Sequence, residues 1–374
     1  MMNLLFIEDE SSSVEPVLNL IEREQPDIRC EVTGFDEAED KIASFRPDIV
    51  ILDLLIGGSS PEPKPEGLKT RDFIWEKHFC PIVVYSAKPD IHDDEYEAHP
   101  FVKSIQKGKD SPREVLKVLG ELRPHVEALQ EAELHVRQSF ACAMREVAPY
   151  AFNTFSDFKQ RTETIKRSGR RRLAALMDEL SSDGSKLASW EQYLYPPVCP
   201  DTQLGDILRK ADGKSDDPAS FRVVLTPSCD LVASSDGRKP NVDKVLAACC
   251  CSMKEGLNLT SLKNMGLSKL KGRLPGTVLS HGYFEGIIPF PRLEGRIPAM
   301  AANLRNLEFI PLDDIGLSDK AFVRIASIDS PFRELVSWAY LQIACRPGLP
   351  NRDFNLWSDE IVALLKKEKE KGCS

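Results

Sequence analysis

The chain reads as a doubly wound α/β domain, then a helical middle segment, then a C-terminal α+β or mostly β domain. Three observations carry this reading. Short apolar runs at Leu4–Ile7, Ile49–Leu52 and Ile82–Tyr85, of the kind that parallel strands buried on both faces require, alternate with helix-spaced stretches. Residues 123–195 keep apolar positions at three- and four-residue intervals. From Pro196 the texture changes to short strand-like runs separated by turn residues.

The expected domains are therefore 1–122, a helical linker or bundle over 123–195, an α+β region over 196–355 and a C-terminal helix or tail over 356–374. In the first, Val14, Val17, Leu18 and Ile21 predict one helix and Ala38, Ile42 and Phe45 a second; Phe73-Ile74 marks a third. Phe101–Ile105 predicts the last strand, and Ser111-Pro112 opens another helix with Ser as cap and Pro at its first position. Gly57–Pro65 reads as a loop. Pro124 is expected to start a new helix and Pro149 to end it, with two more helices at Phe152–Phe158 and Leu173–Leu180. Their apolar stripe is either a bundle interior or a homodimer seam. Further on, Phe221–Leu225, Val242–Cys251, Thr277–Leu279, Phe284–Phe290 and Leu307–Ile310 are strand candidates. Arg324–Ile328 is expected to lead into a helix over Phe332–Ala344 capped by Asp329 or Ser330, where Arg333 serves an ion pair, a cap or a ligand.

With 374 residues, 42% of them hydrophobic and 29% charged, the chain buries a sizeable core and is neither disordered nor collagen-like. The net charge of −9 is unevenly held: residues 1–122 carry 26 acidic against 14 basic side chains, and the remainder 32 against 35. No stretch approaches the ~18–20 apolar residues of a membrane span, and the start lacks the basic flank of a signal peptide. Three of the ten cysteines are contiguous (Cys249, Cys250, Cys251), a poor disulfide framework, which points to a reducing cytoplasm.

The chemistry concentrates in the first domain. Glu8 and Asp9 end the first strand, and Asp53 ends the run Ile49–Leu52. Ligands of an open parallel sheet collect at the carboxyl ends of its strands. Carboxylates converging there repel one another unless a cation is present, and hard oxygen donors with open positions suit Mg²⁺. Ser86 and Lys107 follow the next strands. A carboxylate, a divalent-ion cluster, a hydroxyl and an ammonium are what an aspartyl-phosphate needs.

The segments Leu5-Phe6-Ile7-Glu8-Asp9-Glu10, Pro47–Leu54 and Pro81-Ile82-Val83-Val84-Tyr85-Ser86-Ala87 resemble a response-regulator receiver domain over about the first 120 residues. The resemblance implies a flavodoxin-like, five-stranded parallel sheet and two-component signalling. By position it implies Asp53 as phosphoacceptor from a sensor histidine kinase, Glu8, Asp9 and Asp53 as Mg²⁺ ligands, and Ser86 and Lys107 as phosphoryl contacts. Three departures from the pattern are visible. Lys107 precedes Gly108 instead of proline, with Lys103 and Lys109 as competitors for its role; Ser104 stands where the family has an aromatic residue; and the loop after Asp53 is long before Glu66-Gly67-Leu68.

Nothing beyond residue 196 reads as a helix-turn-helix, so the expected output is protein or ligand binding. Two alternatives remain open. Cys229, in the turn after the run Val223–Ser228, and His281 suit thiol chemistry gated by the receiver, or a Zn²⁺ site together with one of Cys249–Cys251, with Cys199 as a further ligand; a packed, inert thiol is the plainer reading. The basic cluster Lys166–Arg172 suits nucleic acid or another phosphate-bearing surface such as anionic lipid, or is a solvated helix start between domains or a docking site for an acidic surface such as the first domain.

Overall fold

The computed structural model describes residues 2–55, 66–89, 99–177, 186–233, 239–345 and 353–371. The expected loop Gly57–Pro65 lies outside them. The chain forms two compact units, Met1–Ser182 and Asp183–Ser374.

In the first unit, β1 (Met2–Ile7), β2 (Ile28–Thr33), β3 (Ile49–Leu52), β4 (Ile82–Ser86) and β5 (Val102–Gln106) form one sheet in the order β2-β1-β3-β4-β5, every pairing parallel. This is the flavodoxin-like order of doubly wound folds. Strand periodicity sends alternate residues to opposite faces. Leu4, Phe6, Ile51, Val83 and Tyr85 pack with α1 (Glu15–Glu24) and the helix that follows β5. Leu5, Ile7, Val50, Leu52 and Val84 pack with α2 (Ala38–Phe45) and α3 (Glu66–Lys77).

After β5, one helix of 44 residues, α4 (Ser111–Thr154), replaces the two expected either side of Pro124, and Pro149 also lies inside it. Packing explains the continuity. A mid-helix proline costs about 3 kcal/mol. Leu119, Leu122 and Val126 are buried in one core across Pro124, each contributing about 1.5–3 kcal/mol. A second correction follows: α5 (Phe158–Met177) is one helix where two were expected, and Leu180 lies outside the described residues. Helices α4 and α5 pack against each other, and a Cβ added at Gly169 of α5 would stand 2.2 Å from Met144 Cε of α4.

The second unit is built on a largely antiparallel sheet in the order β10-β11-β9-β8-β7-β13-β12, with β6 (Tyr193–Leu194) paired to β13. Its long members are β9 (Lys244–Ser252), β11 (Met300–Pro311) and β13 (Phe322–Ile328). Strands β7 (Asp206–Lys210), β8 (Phe221–Val224), β10 (Ile287–Phe290) and β12 (Ile315–Gly316) complete it. Short helices α6 (Ser228–Leu231), α7 (Met253–Asn258) and α8 (Leu267–Arg273) lie between strands, and α9 (Phe332–Ala344) and α10 (Phe354–Lys371) follow them.

Two local expectations fail here. Thr277–Leu279 is a turn, because Thr277 Oγ1 donates to Arg273 O at 2.8 Å and Leu279 N to Leu274 O at 3.0 Å. Helix α9 has no side-chain cap, because Asp329 Oδ1 accepts from the adjacent Ser330 N at 2.8 Å. No helix among the described residues is long and apolar enough to cross a membrane.

Candidate functional site

Four backbone positions at one edge of the parallel sheet carry the site. The ladder continues one residue past the strands: Glu8 N donates to Thr33 O at 3.0 Å, Asp53 N to Ile7 O at 3.0 Å, and Lys107 N to Ser86 O at 2.9 Å. Side chains placed on such extensions are held by the sheet itself. One ligand oxygen each from Glu8, Asp9 and Asp53 lies within 4.8 Å of the others. Glu8 and Asp53 are buried, whereas Asp9 is exposed.

Lys107 ties the cluster together. Its Nζ donates to Glu8 Oε2 and, at 2.5 Å, to Asp53 Oδ2. Lys103 is half-buried on β5 and Lys109 is exposed; the ion pairs to the acidic cluster are those of Lys107. Burial pushes the Glu8 carboxyl above the usual carboxylate range against the pull of Lys107, and the charge of Asp53 adds to the rise. For Lys107, burial works toward deprotonation, but hydrogen bonds to Asp53 and Glu8 prevail and hold it above the ordinary lysine value. The cation is therefore fixed between two carboxylates that repel each other.

Asp53 Oδ1 accepts from Leu55 N at 3.2 Å, which orients the carboxylate. At the end of β4, Ser86 is fully buried and its Oγ has no hydrogen-bond partner among the described residues. Such an orphan is uncommon and marks a place for an acceptor atom. Gly67, the second residue of α3, is required by contact: a Cβ there would stand 2.2 Å from Asp53 O and 2.5 Å from Leu54 Cα. Hard oxygen donors of this number and spacing fit Mg²⁺, with Glu8, Asp9 and Asp53 as the residues to hold it.

The C-terminal candidates are not gathered in this way. Among the described residues, the one cluster of three or more metal-ligating groups is Glu8–Asp9–Asp53, so the expectation of Zn²⁺ on Cys199, Cys229, Cys249–Cys251 and His281 is not supported. Cys229 sits exposed on α6. His281 lines an apolar hollow of about 720 Å³ with Leu279, Phe290, Phe332 and Leu335, and Cys229 is not among its lining residues. Cys249, Cys250 and Cys251 lie on β9, where burial pushes all three thiols up and keeps them protonated. Basic residues Lys166, Arg167, Arg170, Arg171 and Arg172 are exposed along the middle of α5, not at a helix start.

Reading the sequence missed two arrangements. Arg324, on β13, forms a buried ion pair with Asp206 of β7 at 2.8 Å, and Ser327 Oγ donates to Asp206 Oδ1 at 2.6 Å. These partners stand 118 and 121 positions apart in the chain, and only the register of β7 with β13 brings them together. The other is a hydrogen bond between Tyr85 and Ser111 at 2.8 Å, for which the single signal was a polar aromatic residue inside an apolar strand.

No family model matches the chain, and no curated protein matches it. Among solved structures, the receiver domain of a response regulator from Methanoculleus marisnigri JR1 is 18% identical, over 32% of this chain and 95% of that one, with a TM-score of 0.24. The BeF3-activated receiver domain of Klebsiella pneumoniae RstA is 24% identical, over 33% and 97%, at 0.25. The response regulator domain of Thermotoga maritima CheB is 20% identical, over 34% and 97%, at 0.27. The N-terminal third of the chain has a doubly wound, flavodoxin-like fold with acidic and ammonium groups gathered at the strand ends.

Proposed function

We propose that the chain is a two-component response regulator that accepts a phosphoryl group on Asp53 in a Mg²⁺-dependent reaction, with a sensor histidine kinase in the cytoplasm as donor. The observation that carries this reading is the set Glu8, Asp9, Asp53 and Lys107 gathered at the strand ends, with a buried Ser86 hydroxyl at the end of β4 that lacks a partner among the described residues.

In this reading an Asp53 carboxylate oxygen attacks the phosphorus of a phosphohistidine. The new P–O bond forms as the P–N bond breaks, and the imidazole leaves with the electron pair and takes up a proton. Mg²⁺ supplies charge neutralisation for the acidic groups and the transferred phosphoryl. Lys107 Nζ, already 2.5 Å from Asp53, stabilises the added negative charge, and Ser86 Oγ donates to a phosphoryl oxygen. The C-terminal unit, with its apolar hollow, serves as an output that binds a protein or a ligand.

Acetyl phosphate with Mg²⁺, followed by phosphate-affinity electrophoresis, tests the assignment. The wild-type chain shifts and Asp53→Asn does not; a shift that survives in Asp53→Asn removes Asp53 as the acceptor.

A further inference from the structure

We propose that Tyr85 and Ser111 carry the phosphorylation state of Asp53 into the start of the long helix α4, an inference that rests on the phosphoacceptor reading above. Consecutive residues of a strand face opposite sides of the sheet. On β4, Ser86 is the buried last residue of the strand, while Tyr85 is buried in the core that also holds Val115, Leu119 and Leu122 of α4. Its hydroxyl lies 2.8 Å from Ser111 Oγ, in a buried contact.

The donors and acceptors around Ser111 can be assigned. Ser111 Oγ donates to Gly108 O at 2.7 Å and accepts from Gly108 N at 3.1 Å. A hydroxyl offers one proton and two acceptor sites. With its proton committed to Gly108 O, Ser111 takes its third bond from Tyr85, which is therefore the donor. All the hydrogen-bonding capacity of Ser111 is used, in contrast to Ser86. Asp110, preceding the helix, makes no side-chain cap, so this clamp is the polar tie at the helix start.

The clamp closes on the site. Gly108 directly follows Lys107, and Lys107 Nζ lies 5.7 Å from the centre of the Tyr85 ring, within reach of a cation–π attraction. Two movements expected on phosphorylation thus converge on Ser111. Recruitment of Ser86 Oγ by a phosphoryl oxygen displaces the residue adjacent to Tyr85, and transfer of Lys107 from Glu8 toward the phosphoryl pulls on Gly108. The Tyr85–Ser111 bond, made or broken, is a two-state element of the kind that converts a small shift into a larger one.

The test uses the intact chain with Mg²⁺ and beryllofluoride, an unreactive phosphoryl mimic, and follows amide hydrogen exchange across residues 107–126. In the wild type, beryllofluoride changes exchange at Ser111–Val115 by roughly tenfold, an ordinary magnitude for coupling between sites. Tyr85→Phe removes one oxygen and keeps the ring; Ser111→Ala cuts the same contact from the other end, so either variant reads the coupling if the other fails to fold. Both are expected to keep the acetyl-phosphate shift and to lose the exchange response. A wild-type response in either folded variant overturns the proposal, as does beryllofluoride binding with no change at Ser111–Val115. No Mg²⁺-dependent beryllofluoride binding in the wild type overturns the phosphoacceptor reading itself.

Discussion

Lys107 Nζ stands 2.5 Å from Asp53 Oδ2, and the same ammonium donates to Glu8. One ammonium thus bridges two buried carboxylates and offsets only part of their charge, in the place where a divalent ion has most to offer. Lysine and Mg²⁺ consequently compete for the same oxygens.

Lys107→Ala is expected to destabilise the first unit by about 1–3 kcal/mol in metal-free buffer, because it leaves buried acceptors unpaired. The same variant should bind Mg²⁺ about tenfold more tightly, a difference of about 1.4 kcal/mol. Thermal unfolding with and without Mg²⁺ measures both effects. The pKa of Lys107 is raised by the fold, so its contribution to stability is complete below the ordinary value of 10.5 and is lost as the pH climbs past it. Lys107→Ala should abolish that alkaline loss.

Gly67→Ala forces a Cβ to within 2.2 Å of Asp53 O and 2.5 Å of Leu54 Cα, both backbone atoms that cannot rotate away. Either α3 moves out or the Asp53 backbone shifts. Phosphorylation by acetyl phosphate should fall at least roughly tenfold, since displacement of about 1 Å has that order of effect on a positioned group. A Gly67→Ala chain that is phosphorylated at the wild-type rate would contradict the contact.

In the second unit, Asp206 and Arg324 are both buried and paired at 2.8 Å. Asp206→Ala leaves a buried guanidinium without its carboxylate, and the expected cost is about 3–5 kcal/mol. Arg324→Met combined with Asp206→Ala should cost less than the sum of the two single changes, as contacting residues do. Denaturant unfolding of the four proteins in the cycle provides the measurement.

Thiol accessibility separates the cysteines. Cys142, Cys229 and Cys345 are exposed, whereas Cys80 and Cys250 are buried. Burial also holds Cys30 up at about 11. Iodoacetamide at neutral pH should label the first three in the native chain and spare Cys80 and Cys250, with Cys30 slow. Cys229→Ser should leave phosphorylation of Asp53 unchanged.

How much of this was legible in the sequence follows from the range of the interactions. The strands at Leu4–Ile7, Ile49–Leu52 and Ile82–Tyr85 announce themselves because burial on both faces demands unbroken apolar runs. Strand β2, Ile28–Thr33, escaped because it is the edge strand, and its exposed Arg29 and Val32 and half-buried Cys30 and Glu31 break the pattern. Proline misled at 124 and 149, where tertiary packing outweighs a local cost. Lys107, with two rival lysines nearby, is singled out by geometry: β5 ends at Gln106, and the next residue lands against Asp53. Asp206 with Arg324, and Tyr85 with Ser111, depend on register and helix placement and left no local signature.

The most direct test of the account is to map the phosphoryl group itself. The intact chain is treated with acetyl phosphate, reduced with borohydride to trap acyl phosphates, digested and analysed by mass spectrometry. The account predicts trapping at Asp53, present with Mg²⁺ and lost on chelation. Trapping at another residue, or at Asp53 to the same extent after chelation, would contradict it.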